Sequence, residues 1–181
     1  MLTGLGKPPV PSDAVDLLLE CHVRIRHFVD MASRLGEASA APPGEISDTA
    51  ARVHRYFTEA LPLHVRDEEE SLAPRLRGRD PALDAAVDAM VREHGEHGPA
   101  LADLAAACAA LARDPGRHGE LAPVVRQAAL DLARQFEFHL SAEEAIVLPA
   151  VRRLLDATAD AEIVNEIRQR RDGRAAPRPT P

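Results

Sequence analysis

The stretch His64-Val-Arg-Asp-Glu-Glu69 recurs 75 residues further along the chain as His139-Leu-Ser-Ala-Glu-Glu144. In each copy a glutamate follows the histidine by four positions, and a proline follows the histidine by ten. On an α-helix, residues four apart lie about one turn apart and about 40° apart around the axis. Both side chains of a pair can therefore reach one point. The repeat predicts two equivalent helices that present a histidine and a glutamate to the inside of a helical bundle.

The residue types in the repeat indicate a metal site. Imidazole and carboxylate, offered twice, suit a pair of borderline metal ions such as iron. Calcium and magnesium are less suitable, because they prefer ligands that are all oxygen. We therefore expect the repeated pairs to hold transition-metal ions.

The composition favours a single all-α domain. The chain of 181 residues is long enough to bury a hydrophobic core. Hydrophobic residues make up 45% of it but aromatic residues only 3%, and alanine and leucine dominate. The net charge of -7 argues against a nucleic-acid partner. No apolar stretch approaches the roughly 20 residues that a membrane-spanning helix needs, so we expect no membrane association.

The N-terminus and the cysteines favour the cytoplasm. Residues 1–12 contain neither the basic region nor the apolar region of a signal peptide. Cys21 and Cys108 lie in predicted helices, and two thiols do not make a disulfide framework. A reducing compartment is therefore expected.

Four segments are predicted along the chain. They are a flexible N-terminal arm (1–12), a four-helix bundle (13–156), a short C-terminal helix (157–172) and a disordered tail (173–181). The long helices are predicted near residues 13–38, 45–77, 81–113 and 118–155, and the short one near 159–171. Short connections between long helices favour an up-down-up-down bundle, whose core is where facing helices build metal sites.

Local signals support these boundaries. Ser12 or Asp13 can cap the first helix, and Asp80 followed by Pro81 is a strong start signal for the third. Pro62 is expected to kink the second helix just before His64.

Each long helix then contributes one histidine to the interior. His22 lies on the first helix and His94 on the third, while the second and fourth carry the repeated pairs. The two glutamates could each bridge two ions, with each histidine in a terminal position. The predicted metal ligands are His22, His64, Glu68, His94, His139 and Glu143.

This set of motifs resembles the hemerythrin-like family and its HHE cation-binding domains. The resemblance covers about residues 13–155 and is carried by His22, the two His-x-x-x-Glu pairs and Glu93-His94. It implies a non-heme centre of two iron ions in a four-helix bundle. Members of the family bind dioxygen, handle nitric oxide or peroxide, or sense iron and oxygen.

The chain departs from the oxygen-carrying members in two places. On the third helix those members have a His-x-x-x-His pattern. This chain has His97 three positions after His94, and Gly98 at the fourth position. On the fourth helix the carriers place a carboxylate five positions after the histidine, whereas here both Glu143 and Glu144 follow. These departures argue against reversible oxygen carriage.

Several neighbouring residues are weaker candidates. His97 is expected either to ligate or to hydrogen-bond a ligand. Glu144 is a candidate for an additional metal ligand or for a partner of one. Like Glu69, however, it lies about 140° from the histidine on its helix, which favours solvated charge or interhelical pairing. Tyr56 is expected either to hydrogen-bond near the site or simply to pack. Packing is also expected for Cys21, whereas a surface or loop position is expected for His27, His54 and His118.

These observations favour a cytoplasmic protein that binds or reduces hydrogen peroxide, dioxygen or nitric oxide. We expect no output domain beside the bundle, which favours a stand-alone peroxide- or oxidant-handling protein, with catalase-like or other di-iron oxidoreductase activity as one form. The alternative is a sensor or binding module without catalysis. A metal-free bundle would leave the buried histidines and glutamates unexplained. Ferritin-like oxidases use more glutamates and the reverse Glu-x-x-His order.

Overall fold

A computed structural model describes residues 13–173, which form five helices and no strand. The predicted arm (1–12) lies outside this part of the chain, as does all of the predicted tail except Gly173. Helix α1 is Ala14–Glu37 and helix α5 is Ala157–Asp172. Helices α2 (43–76), α3 (81–113) and α4 (115–154) are each built from consecutive segments. The prediction of an all-helical protein is confirmed.

Segments of α2, α3 and α4 differ in their hydrogen bonding. Helix α2 consists of Pro43–Arg55, Leu61–Arg66 and Ala73–Leu76, with π-helical Tyr56–Ala60 and Asp67–Leu72 between them. Helix α3 consists of Pro81–Glu96 and Gly98–Arg113. Helix α4 consists of the 3₁₀ turn Pro115–Arg117, then His118–Ala142, π-helical Glu143–Val147 and Leu148–Leu154.

Aspartates begin four of the helices, since Asp114 also accepts a hydrogen bond from the backbone N–H of Gly116 at the start of α4. Asp13 accepts a hydrogen bond from the backbone N–H of Asp16, and Asp80 caps α3 with Pro81 in the first helical position, as the sequence predicts. Asp156 caps α5, which begins at Ala157. A side-chain oxygen at these positions satisfies N–H groups that have no partner inside the helix.

Each π-helical segment ends directly before a residue that is followed by proline. The backbone N–H groups of Leu61, Ala73 and Leu148 donate to the carbonyl groups five residues earlier, and Pro62, Pro74 and Pro149 come next. A proline has no N–H to donate, and its ring crowds the carbonyl four residues before it. At Pro62, where a kink is predicted, the wider turn lets the helix continue. Glu68 and Glu143 both lie within such turns.

The interior contains two apolar clusters, and both draw residues from α1, α2, α3 and α4. One includes Ile25, Phe57, Leu104, Leu132 and Phe136. The other includes Leu18, Leu72, Met90, Val147 and Val151, and α5 adds Ile163 and Ile167 to it. Along each long helix, the predicted metal ligands fall between residues of the two clusters. The apolar faces of the helices thus enclose a polar layer.

Close packing joins α1 to α4. A Cβ atom added at the buried Gly36 would lie 2.9 Å from the backbone nitrogen of Arg126, so only glycine fits there without a shift. Nearby, Nε2 of His118 lies 2.7 Å from the carbonyl oxygen of Leu35, to which it donates. His118 is buried, and its predicted surface position is therefore wrong. Its imidazole satisfies a carbonyl group near the end of α1, a contact between distant residues that spacing along the chain does not reveal.

No helix within residues 13–173 combines the length and the apolar character that crossing a membrane requires.

Candidate metal centre

The structure brings the six predicted ligands together in two overlapping groups. In each group, one nitrogen or oxygen atom from every residue lies within 4.8 Å of the others. One group is His22, His64, Glu68 and Glu143, and the other is Glu68, His94, His139 and Glu143. Each group therefore has two histidines of its own and shares both glutamates with the other.

Glu68 lies between the two histidine pairs. Its Oε1 atom is 3.3 Å from Nε2 of His64 and 3.8 Å from Nε2 of His22, whereas its Oε2 atom is 3.2 Å from Nε2 of His94. The carboxylate is almost completely buried, at 1% exposure. Each of its oxygens therefore faces a different group.

Glu143 repeats this arrangement from α4. Its Oε1 atom is 3.1 Å from Nε2 of His139, and its Oε2 atom is 3.2 Å from Nε2 of His22. It too is buried, at 2% exposure. Two carboxylates that each present one oxygen to either group have the geometry of bridging ligands.

The atoms that face one another in this layer lack hydrogen-bond partners within the described part of the chain. They are Nε2 of His22, His64 and His94 and both carboxylate oxygens of Glu68 and Glu143. Buried polar atoms are nearly always paired, so a cluster of unpaired ones calls for an explanation. A bound cation would accept electron pairs from all of these nitrogens and oxygens, which means that the residues present fit a metal site.

Carboxylates outside the layer orient three of the four histidines. Nδ1 of His22 lies 2.9 Å from Glu144, which also accepts a hydrogen bond from Arg26. Nδ1 of His94 lies 2.8 Å from Glu69. Since an ionised carboxylate only accepts, each Nδ1 carries the proton and Nε2 faces the layer. Glu69 and Glu144 thus take the interhelical pairing that their helical positions allowed.

Glu93 orients the third histidine, a contact that the sequence analysis missed. It accepts a hydrogen bond from Nδ1 of His139 at 2.9 Å. The available signal was its place directly before His94, which sets it on the side of α3 that faces α4. By contrast, Nδ1 of His64 has no partner among residues 13–173. Cys21 precedes His22 as Glu93 precedes His94, so the chain has no carboxylate at the corresponding place on α1.

Without metal, protons take part in holding the layer together. Burial alone would lower the pKa of His22, but the facing carboxylates of Glu143 and Glu68 raise it to about 10. Burial likewise opposes charge on His94, yet its pairing with Glu68 raises the pKa to about 9. Burial lowers the pKa of His64 to about 4. The two carboxylates differ: attraction to the histidines outweighs burial and lowers the pKa of Glu68, while burial and the nearby charge of Glu68 raise that of Glu143.

The remaining candidates lie outside the two groups. His97 is buried, with its ring centroid 5.0 Å from that of His139 and 4.6 Å from that of Phe136, at the residue that divides α3 into two segments. Tyr56 stacks on Phe28 at 4.0 Å, so its observed contact is packing. Gly98 is exposed.

The other minor candidates divide between surface and interior. His27 is exposed, as predicted, and His54 is half-buried. Cys21 is buried, but it does not only pack: its sulfur accepts a hydrogen bond from Arg171 at 3.6 Å.

Comparison with known families supports a cation site. The family model described as Hemerythrin HHE cation binding domain matches residues 13–117, which is more than half of the chain and includes four of the six clustered residues. No curated protein matched the chain.

Proposed function

We propose that this chain, which belongs to the hemerythrin HHE cation-binding family, holds two iron ions and reduces a small oxidant, with hydrogen peroxide favoured. The observation that carries the proposal is the pair of overlapping groups with shared glutamates. We further propose an up-down-up-down arrangement of α1–α4, which fits the two apolar clusters to which all four helices contribute.

The donor set supports iron. His22 and His64 would hold one ion and His94 and His139 the other, while Glu68 and Glu143 would each give one oxygen to the first ion and one to the second. Mixed imidazole and carboxylate ligation suits iron and related transition metals. When bound, the two ions would supply the two electrons that convert one hydrogen peroxide and two protons into two waters.

The symmetry of the groups favours peroxide over oxygen carriage. Each group has the same donors, two histidines and two shared carboxylates, and His97 belongs to neither. Four protein donors leave room on each ion for a further ligand, so one peroxide molecule could meet both. Reversible carriage is better served by one saturated ion and one open ion, as the resemblance to the carriers implies.

The surrounding residues would exclude water and keep the histidines in place. The two apolar clusters lie on either side of the layer, and Glu144, Glu69 and Glu93 fix the orientation of His22, His94 and His139. Carboxylates that accept from the outer nitrogen of a histidine raise its basicity toward a metal. We place the protein in the cytoplasm, a proposal that its two free, buried cysteines support.

Iron content tests the metal assignment. The full chain, loaded anaerobically with iron(II) and freed of excess, should contain two irons. Glu68→Ala and Glu143→Ala should each lose most of this iron. Glu69→Gln and Glu144→Gln are the matched controls, because each lies next to a clustered glutamate but meets its histidine only at the outer nitrogen, away from the layer. They should still contain iron after loading, but should release it about 10- to 100-fold faster than the wild type. An iron content near zero in the wild type would end the proposal.

Peroxide consumption tests the reaction. The iron-loaded protein should remove hydrogen peroxide, and the two alanine variants should not. A wild-type protein that ignores peroxide but forms a long-lived, reversible complex with dioxygen or nitric oxide would instead establish a sensor or binding module.

A further inference from the structure

Helix α5 contacts the metal-site helices through a buried aspartate. Asp67 directly precedes Glu68 and is 0% exposed. Its Oδ1 atom accepts a hydrogen bond from Nη1 of Arg170 at 2.8 Å, and its Oδ2 atom accepts one from Nη2 of Arg171 at 2.7 Å. Both arginines lie in the last turn of α5. Two oxygens of one buried carboxylate are thus paired with two guanidinium groups of another helix.

The same two arginines reach further along α1 and α2. Nη2 of Arg170 donates to the hydroxyl of Ser71 at 2.8 Å, within the π-helical turn that also holds Glu68. Nη2 of Arg171 donates to the sulfur of Cys21 at 3.6 Å, directly before His22. The arginines therefore contact the chain neighbours of two clustered residues that belong to different helices.

We propose that α5 is a positioning element for the metal centre: Arg170 and Arg171 hold Asp67, and thereby keep the carboxylate of Glu68 between the two pairs of histidines. The inference rests on the proposed metal site. A π-helical turn has wider spacing and less regular hydrogen bonds than an α-helical one, so the turn needs support from outside. A buried ion pair supplies it, because the aspartate cannot leave its partners without exposing an unpaired charge to an apolar interior.

A purely structural role for α5 is the competing explanation, and the chain offers a matched control for it. Arg75 joins the same two helices, through Glu166 at 2.8 Å and Glu162 at 3.2 Å, and it also donates to the carbonyl of Ser71. It lies about two turns beyond Glu68 and has no contact with Asp67 in the described ion pairs. Weakening this contact loosens α5 without removing the partners of Asp67.

The test compares Arg170→Gln and Asp67→Asn with Arg75→Gln in the full-length protein. Iron-loaded samples are mixed anaerobically with excess of a coloured iron(II) chelator, and the melting temperatures of the metal-free forms are measured in parallel. Arg170→Gln and Asp67→Asn should release iron about 10- to 100-fold faster than the wild type, the range found when groups that orient metal ligands are removed. Arg75→Gln should release iron at a rate within about twofold of the wild type, even if its melting temperature falls as far as those of Arg170→Gln and Asp67→Asn.

Cobalt(II) provides a second readout that stability alone does not move. The visible bands of the cobalt-loaded protein should change in Arg170→Gln and Asp67→Asn and stay the same in Arg75→Gln. If Asp67→Asn does not fold, Arg170→Lys takes its place, because it keeps the charge but loses the guanidinium group that contacts Asp67 and Ser71 together. Equal release rates and equal spectra in all variants, with wild-type metal content intact, would overturn the positioning role. A wild type without metal would overturn the proposed function itself.

Discussion

At the scale of single residues, the defining feature is the orientation of the histidines. Three of them donate their Nδ1 proton to a carboxylate outside the layer and turn Nε2 toward the two shared glutamates. The acceptors of His22 and His94, Glu144 and Glu69, lie beside the two shared glutamates in the sequence. Each Glu-Glu doublet therefore has two roles: its first residue faces the layer, and its second orients a histidine from another helix.

The raised pKa values predict that metal binding releases protons. His22 and His94, with pKa values of about 10 and 9, are protonated at pH 7.5 in the metal-free protein. A metal must displace these protons, so about two should be released per chain, and apparent affinity should rise as the pH increases from 6 toward 9. His64, whose pKa is about 4, has no proton to lose.

Calorimetric titration with iron(II) measures this release, if it is repeated in buffers of different ionisation enthalpy. A binding enthalpy that is independent of the buffer at pH 7.5 would contradict the assignment of protons to these histidines.

At the scale of helices, small local features determine where the side chains meet. The π-helical turns that contain Glu68 and Glu143 precede prolines at matched positions in α2 and α4. At the far end of α1, Gly36 allows the backbone of α4 to approach. The spacing between α1 and α4 matters to the site because His22 lies on α1 and His139 lies on α4.

Gly36→Ala should therefore destabilise the protein by about 1–3 kcal/mol, since the added methyl group has no space beside the backbone of Arg126. Gly119→Ala is the control. Gly119 lies in α4, and an added Cβ atom would meet nothing within 4 Å. Its replacement should leave stability unchanged or raise it by up to about 1 kcal/mol. Urea unfolding of both metal-free variants gives the comparison, and equal midpoints would show that α1 can move away from α4 at little cost.

At the scale of the whole molecule, a polar layer lies between two apolar clusters. The layer holds unpaired nitrogens and oxygens that are costly to bury. The two apolar clusters stabilise the fold on either side, which allows a site that is unfavourable by itself to exist in the metal-free chain.

Metal should consequently stabilise the whole domain. A ligand that binds only the folded state, present at a thousand times its dissociation constant, adds about 4 kcal/mol. For a domain of this size that corresponds to a rise in melting temperature of about 10 °C. Scanning calorimetry of iron-loaded and chelated protein measures the difference. The double variant Glu68→Ala/Glu143→Ala should show none, and a wild type whose melting temperature ignores metal would argue against a site that spans the helices.

The sequence by itself determined the helical class and the residues that meet. Regular spacing identifies these features because a helix repeats every 3.6 residues, so a histidine and a glutamate four apart share a face whatever surrounds them. Asp80 as a helix cap follows from equally local rules, which also narrowed the first cap to Ser12 or Asp13.

Only the tertiary structure decided which residues contact the predicted ligands from outside the layer. Glu93 beneath His139, the buried His118 against Leu35, and the pairing of Asp67 with α5 all join residues distant in the chain. The same is true of the partner of the second glutamate in each doublet: the spacing turns Glu69 and Glu144 away from the layer, but only the packing brings them to His94 and His22. Such contacts depend on how helices pack, and local periodicity does not carry that information.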